Sequence, residues 1–230
     1  MAKKQDRTEE SIHAVEEALS KTEYFIEKNQ KILIGAISVV VIVILGYFAF
    51  QRLYLQPRNT EAQEQMFMAE KYFEKDSLNL ALYGDGNYPG FLDILDDYGM
   101  TKSANLANYY TGIIYLRLGD YEEAIDYLES FDSDDQIVSS MATGAIGDAY
   151  MELNETEAAV DYYLEAAEKN INDFTTPLFY LKAGWAYELL ENFEKAKEVY
   201  EIIKYDYPAS NEAREIDKYI SRASGLAEKS

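Results

Sequence analysis

The sequence predicts an all-α chain in which one membrane-spanning helix precedes a stack of paired helices, and three observations carry that prediction. Residues 32–50 form an apolar run of 19 without a charge. Six positions recur with a single internal spacing in three successive segments further along. Capping and turn residues fall between the helix-length patterns so defined.

Composition bounds the rest. A chain of 230 residues with 48% hydrophobic side chains can bury one substantial core. It contains no Cys, so disulfides and thiolate metal sites are excluded. Lys and Arg number 21 against 42 Asp and Glu, a net charge of −21 that repels phosphate backbones and anionic lipid and excludes nucleic acid as a partner. Residues 1–31 carry six bases and seven acids, so almost all of the negative charge, read as a solvated surface, lies beyond the apolar run.

That run, from Ile32 to Phe50, would extend about 28 Å as a helix, close to the thickness of bilayer hydrocarbon. Lys28 and Lys31 border one end, and Tyr47 and Tyr54 are placed for the interface at the other. A core helix of a soluble protein would show a polar stripe, whereas only Ser38 interrupts this stretch. The preceding 31 residues are long and mixed in charge, which favours an uncleaved signal anchor over a cleaved signal peptide. Lys21, Lys28 and Lys31 outnumber Arg52 and Arg58 across the span, which predicts a cytoplasmic N-terminus and a translocated C-terminal domain. Gly35 and Gly46 do not form the small-xxx-small pair of close helix association.

Before the anchor, residues 8–27 have a helical pattern with Thr8 as N-cap and Ile12, Val15, Leu19 and Ile26 on one face. His13, the one histidine, is read there as an exposed helix residue.

The repeated pattern begins after Asn105. Its first copy holds Gly112, Tyr115, Gly119, Tyr121, Ala124 and Leu128; its second Gly147, Tyr150, Asn154, Thr156, Ala159 and Tyr163; its third Gly184, Tyr187, Glu191, Phe193, Ala196 and Tyr200. Steps of three, four, two, three and four residues are common to all, and the leading glycines lie 35 and 37 apart. A Gly at a helix crossing permits close approach, the following Tyr fills the gap, and the small Ala on the second helix receives it. Asp120 with Glu123 and Asn154 with Glu157 have capping-box spacing. Thr176 before Pro177 reads as an N-cap, and Asn192 as another.

These spacings resemble the tetratricopeptide repeat, and the resemblance implies a tetratricopeptide-repeat α-solenoid with two helices per repeat. Residues 210–223 read as a C-terminal capping helix with Ala213, Ile216, Ile220 and Ala223 on its apolar face. At the other end, residues 60–74 and 90–98 read as a degenerate first pair joined by a long loop, 76–89. The expected organisation is therefore a tail at 1–31, a transmembrane helix at 32–50, a linker and degenerate pair at 51–103, and repeats with their cap at 104–230.

Four longer segments extend the resemblance: AEKYFEKDSLNLALYGDGNYPGF, ANYYTGIIYLRLGDYEEAIDYL, TPLFYLKAGWAYELL and YPASNEAREIDKYI. Together with the anchor they resemble the bacterial YfgM-like group in its Bacteroidetes-type version. That resemblance implies a single-pass inner-membrane protein with a cytoplasmic tail and a periplasmic repeat domain. It implies as partners the subunits of the Sec translocon and a membrane-anchored periplasmic chaperone or its client proteins.

Other chemistry is set aside on context. The glycines of residues 84–90 lack the preceding strand of a dinucleotide fingerprint and the Gly-Lys-Ser/Thr of a P-loop. Asp132, Asp134 and Asp135 lack the glycine and terminal Glu of a calcium loop and read as an inter-repeat turn. Among 42 acids, close carboxylate pairs arise by chance, and no Ser-His or Cys-His arrangement has a candidate in the repeats. No catalytic residue, cofactor, metal or small-molecule substrate is predicted.

The predicted binding surface is the inner face of each first helix. It comprises Leu106, Tyr109, Ile113 and Leu116, then Met141, Asp148 and Met151, then Leu178, Leu181, Trp185 and Glu188. Aromatic and Met side chains suit anchoring of peptide or helix residues, and Asp148 and Glu188 would favour a basic flank. Each position serves equally well as core, and the sequence leaves both roles open. The two-carboxylate clamp of cytosolic chaperone-binding repeats uses Lys and Asn at such offsets. This groove is expected to lack them, so an acidic peptide C-terminus is not the expected ligand.

Overall fold

The computed structural model describes residues 2–229, with side chains described at Tyr24 and from Glu27 onward. The tail face of Ile12, Val15, Leu19 and Ile26, and His13, therefore lie outside the described side chains. Every regular element among the described residues is helical, and the chain divides into two compact units, Met1–Pro57 and Arg58–Ser230.

The first unit is built on helix α1, Ala2–Phe50, followed by a π-helical turn at Gln51–Leu55. Thr8 lies inside α1 and does not cap it, because the residues before it already have helical conformation. The Ile and Val side chains between Ile32 and Leu45 are exposed, and among the described residues this is the one helix long and apolar enough to cross a membrane.

In the second unit α2 (Gln56–Glu74), from Arg58 onward, with α3 (Leu78–Tyr83) and α4 (Phe91–Tyr98), forms the first layer. Three helix pairs follow: α5 (Lys102–Leu118) with α6 (Tyr121–Glu129), α7 (Gln136–Glu152) with α8 (Thr156–Lys169), and α9 (Thr175–Leu189) with α10 (Phe193–Asp206). A 3₁₀ turn, Glu212–Glu215, leads into the last helix, α11 (Ile216–Ala227). Ile216 and Ala223 of α11 are buried against α10, with Ala213 and Ile220 packed beside them, so the expected cap is present.

The recurrent positions have the expected physical reason. A Cβ on Gly112, Gly147 or Gly184 would fall 2.6, 2.7 or 2.1 Å from the side chain of Leu128, Tyr163 or Tyr200, which lies across the pair. The aromatic three residues after the glycine stacks on the second helix in two of the pairs, Tyr115 on Tyr127 at 5.5 Å and Tyr150 on Tyr162 at 5.2 Å. Ala124, Ala159 and Ala196 are fully buried at the crossing.

The third motif position makes the turn between paired helices. Gly119, Asn154 and Glu191 have φ of 90°, 62° and 56°, the left-handed region. The next residue's N–H then donates to the carbonyl of the motif tyrosine, Tyr115, Tyr150 or Tyr187, at 2.9–3.0 Å. This geometry corrects the capping assignments. Asn154 is the left-handed residue, Glu155 is the N-cap, and neither Glu155 nor Asp120 makes a side-chain cap bond. Asn192 does cap, accepting from Lys195 N at 3.4 Å.

Two further corrections concern loops. Thr176 is not the N-cap of α9; its hydroxyl donates to Ala167 O, and Asn172 Oδ1 instead accepts from Phe174 N and Thr175 N. The segment 76–89 is not simply a loop, since α3 occupies its first half and buries Ala81 and Leu82. Its second half is held by Asp85, which accepts from Asn87 N, Tyr88 N and the Tyr72 hydroxyl. Those three bonds hold the Asp85 carboxyl below its ordinary range.

Candidate functional site

First helices of successive pairs present the predicted inner-face residues, and the structure divides these into core and cavity. Leu106 packs into the cluster around Phe91 and Ile114. Tyr109 and Ile113 pack on the cluster around Ile125 and Leu128, with Tyr109 against Phe131 at 5.2 Å. Leu178 and Met141 cover the large C-terminal cluster, in which Leu181 is buried outright. Burial raises the Tyr109 hydroxyl above its usual value, as expected for a packing residue.

Four of the predicted residues, Leu116, Asp148, Met151 and Trp185, line one cavity of about 390 Å³ together with Tyr121, Glu152, Tyr163 and Lys182. Trp185 also forms the edge of a second, wider hollow of about 670 Å³, where it meets Glu188, Leu189, Phe193, Tyr219, Arg222 and Leu226.

The two carboxylates expected to form an acidic rim are both engaged within the chain. Lys182 Nζ lies 2.6 and 2.7 Å from the Asp148 oxygens, and the Tyr163 hydroxyl donates to Asp148 at 2.7 Å. Arg222 contacts Glu188 at 2.6 Å and 3.2 Å, and the Tyr200 hydroxyl donates to Glu188 at 3.1 Å. Their charge is balanced locally, so neither offers a free acidic contact to a ligand. The expectation of a groove without lysine is corrected by the same geometry, since Lys182 stands in the cavity wall. Because Asp148 holds it, however, it is not a free anion receptor.

Burial first and the adjacent carboxylate second raise the Tyr163 and Tyr200 hydroxyls above their ordinary value. Both tyrosines thus stay protonated donors throughout the physiological range.

Sequence reasoning missed Lys182 and Arg222, though a signal existed. Each base lies 34 residues beyond its acid, one repeat length. In stacked repeats, residues one period apart are spatial neighbours. A search for opposite charges at that offset would have found both pairs. Gly144 was missed as well; a Cβ there would stand 1.9 Å from the Phe179 ring, so it marks the crossing of α7 by α9.

This arrangement of glycine-spaced helix pairs, left-handed turns and a lined inner face is that of a helical-repeat scaffold. Tetratricopeptide-repeat family models match residues 80–136, 144–168 and 179–210. The fold is a tetratricopeptide-repeat α-solenoid, and the first of these matches extends into the irregular α3–α4 layer. A crystal structure of MamA protein is similar with a TM-score of 0.52 at 21% identity, covering 73% of this chain and 92% of that one. A second MamA crystal structure has a TM-score of 0.48 at 22% identity, covering 70% and 95%. No curated protein matches the sequence.

Proposed function

We propose that this chain is a non-catalytic scaffold, fixed in the bacterial inner membrane by residues 32–50, whose periplasmic repeats bind subunits of the Sec translocon and periplasmic chaperones or their clients. The observation that carries the reading is the lined inner face of the repeats. Trp185, Met151 and Leu116 open onto cavities beside two carboxylates, Asp148 and Glu188, that are already ion-paired, an arrangement that suits protein side chains. Exposed apolar side chains along α1 support the anchor, since a patch of that extent on a soluble protein would drive association. The lysine excess before the span supports a cytoplasmic N-terminus.

Absence of cysteine makes the topology directly testable. With one Cys placed at Ser230, a membrane-impermeant maleimide should label intact spheroplasts as fully as lysed cells, and cross-linking from the repeats should then capture translocon subunits. Labelling only after lysis would place the repeats in the cytosol. It would replace this reading by that of an anchored receptor for basic or amphipathic targeting peptides, which the acidity of the domain would suit.

A further inference from the structure

Three apolar clusters hold the repeat unit, and the middle one is the smallest. The first joins α2 to α5 around Phe91 and Ile114. The last runs from α8 through α11 and takes in Met141, Tyr150 and Met151 of α7. Between them, α6 meets α7 through Ile125 and Leu128 against Ala142, Ala145, Ile146 and Ala149, with Tyr109, Ile113 and Leu116 of α5 alongside. Helix α6 has nine residues where α8 and α10 have fourteen, so it offers less surface to the next layer. Helix α7 is seated on the C-terminal side, because Gly144 and Gly147 hold it close under the rings of Phe179 and Tyr163; toward α6 it presents mostly alanine.

The seam between α6 and α7 is also hollow at both ends. The 390 Å³ cavity touches the start of α6 at Tyr121 and the end of α7 at Glu152. A cavity of about 340 Å³ touches the other end, at Leu128 and Glu129 of α6 and Ser139, Ala142 and Thr143 of α7. Asp148–Lys182 and Glu188–Arg222 tie the later layers, but among the described residues no ion pair joins α5 or α6 to α7 or α8. A hydroxyl bond crosses at each end instead: Tyr121 donates to Glu152 at 3.3 Å, and Tyr162 of α8 donates to Glu129 at 2.7 Å. The connecting chain is anchored on both sides. Asp132 exchanges two hydrogen bonds with Asn105 of α5 and Asp135 caps α7, which leaves Ser133 and Asp134 to take up a change of angle.

We propose that this seam is the hinge of the solenoid. The first layer with α5 and α6 swings as one body against α7 to α11, rocking about Ile125 so that one end of the seam opens as the other closes. Tyr121–Glu152 and Tyr162–Glu129 oppose each other across that pivot, each resisting the opening of its own end. Leu116 and Tyr121 lie on one body and Asp148, Met151 and Trp185 on the other. The swing therefore changes the width of the 390 Å³ cavity without repacking either large cluster.

Glu122, Glu157 and Glu194 are exposed and occupy equivalent places in the first turns of α6, α8 and α10, and the chain has no Cys to remove. In the full chain in nanodiscs, spin labels at Glu122→Cys and Glu157→Cys read the distance across the seam. Labels at Glu157→Cys and Glu194→Cys read the next junction. Pulsed dipolar spectroscopy should give the broader distance distribution for the first pair. Tyr121→Phe frees the start of α6 and should lengthen the mean distance of that pair, whereas Tyr162→Phe frees the other end and should shorten it. Neither change should move the second pair. Distributions of equal width at the two junctions overturn the hinge, and so do shifts of the same sign in the two variants or no shift in either.

Discussion

The two ends of the repeat unit pack helices by different means. In the C-terminal pairs, one aromatic ring fills each glycine gap, Tyr163 over Gly147 and Tyr200 over Gly184, and ion pairs one repeat apart, Asp148–Lys182 and Glu188–Arg222, join neighbouring layers. The first layer does not repeat them: the ion pair that ties it to α5, Arg117 with Asp76 at 3.6 Å, is off the repeat spacing. Its second helix is broken into α3 and α4, and the chain crosses itself where a Cβ on Gly90 would meet the Leu82 carbonyl oxygen at 2.1 Å. Phe73 then meets the Tyr110 ring edge to face at 5.1 Å, and Tyr110 stacks on Phe91 at 4.8 Å. Repetition lets a few residue types solve the same crossing several times, whereas the end layer depends on contacts that occur once.

Alkaline titration should separate the ends most sharply. Burial, then a hydroxyl bond to Tyr83, raises Tyr115 to about 12. An unfolded Tyr ionises near ~10. A raised folded value means that the protonated form stabilises the fold; this contribution is complete below pH ~10 and is lost as pH rises through about 12. Tyr163 and Tyr200 are raised as well, and each would have to ionise beside a carboxylate. Phenolate absorbance and helicity should therefore change before Trp185 emission does. Simultaneous change in all three signals would mean that the ends unfold as one unit.

Truncating a gap-filling ring comes next in size. Tyr200→Ala removes a side chain with no exposure and should cost about 4 kcal/mol. At about 2–4 °C per kcal/mol for a domain of this size, the midpoint in thermal melting should fall by roughly 8–16 °C. Gly90→Ala should cost about 3 kcal/mol, since the atoms it meets, Leu82 O, Leu82 C and Gly84 N, are all backbone. Gly147→Ala, which meets the edge of the Tyr163 ring, should cost less than Gly90→Ala. The reverse order would show that the irregular layer yields more readily than the repeats.

How much was legible follows the same division. Gly112, Gly147 and Gly184 with their partners could be read because one physical demand recurs three times at a fixed spacing. Helix α3 could not, because Leu78–Tyr83 is a single short turn of helix whose burial of Ala81 and Leu82 depends on the crossing at Gly90. Asp148 and Glu188 were expected to favour a basic flank of a ligand, and each is instead paired with a base of this chain, Lys182 and Arg222. A linear pattern shows what lies on a helix face but not which base the next layer brings to it. Partly exposed pairs of this kind are worth about 1 kcal/mol or less, so composition reveals them poorly.

The smallest effect tests the turns. Gly119, Asn154 and Glu191 occupy equivalent left-handed positions, but they differ in what that conformation costs. An L side chain in this region is disfavoured by roughly 1–2 kcal/mol, less for Asn, whose polar side chain bonds locally. Glycine pays no such penalty but loses more backbone freedom on folding. Glu191→Gly should therefore stabilise the third pair by about 1 kcal/mol, and Asn154→Gly by less. Gly119→Glu should destabilise the first by a similar amount, a set of shifts readable as changes of a few degrees in melting. If Glu191→Gly lowered the midpoint instead, the Glu191 side chain would have to be stabilising the turn, and the difference between the three turns would lie in side-chain contacts and not in backbone strain.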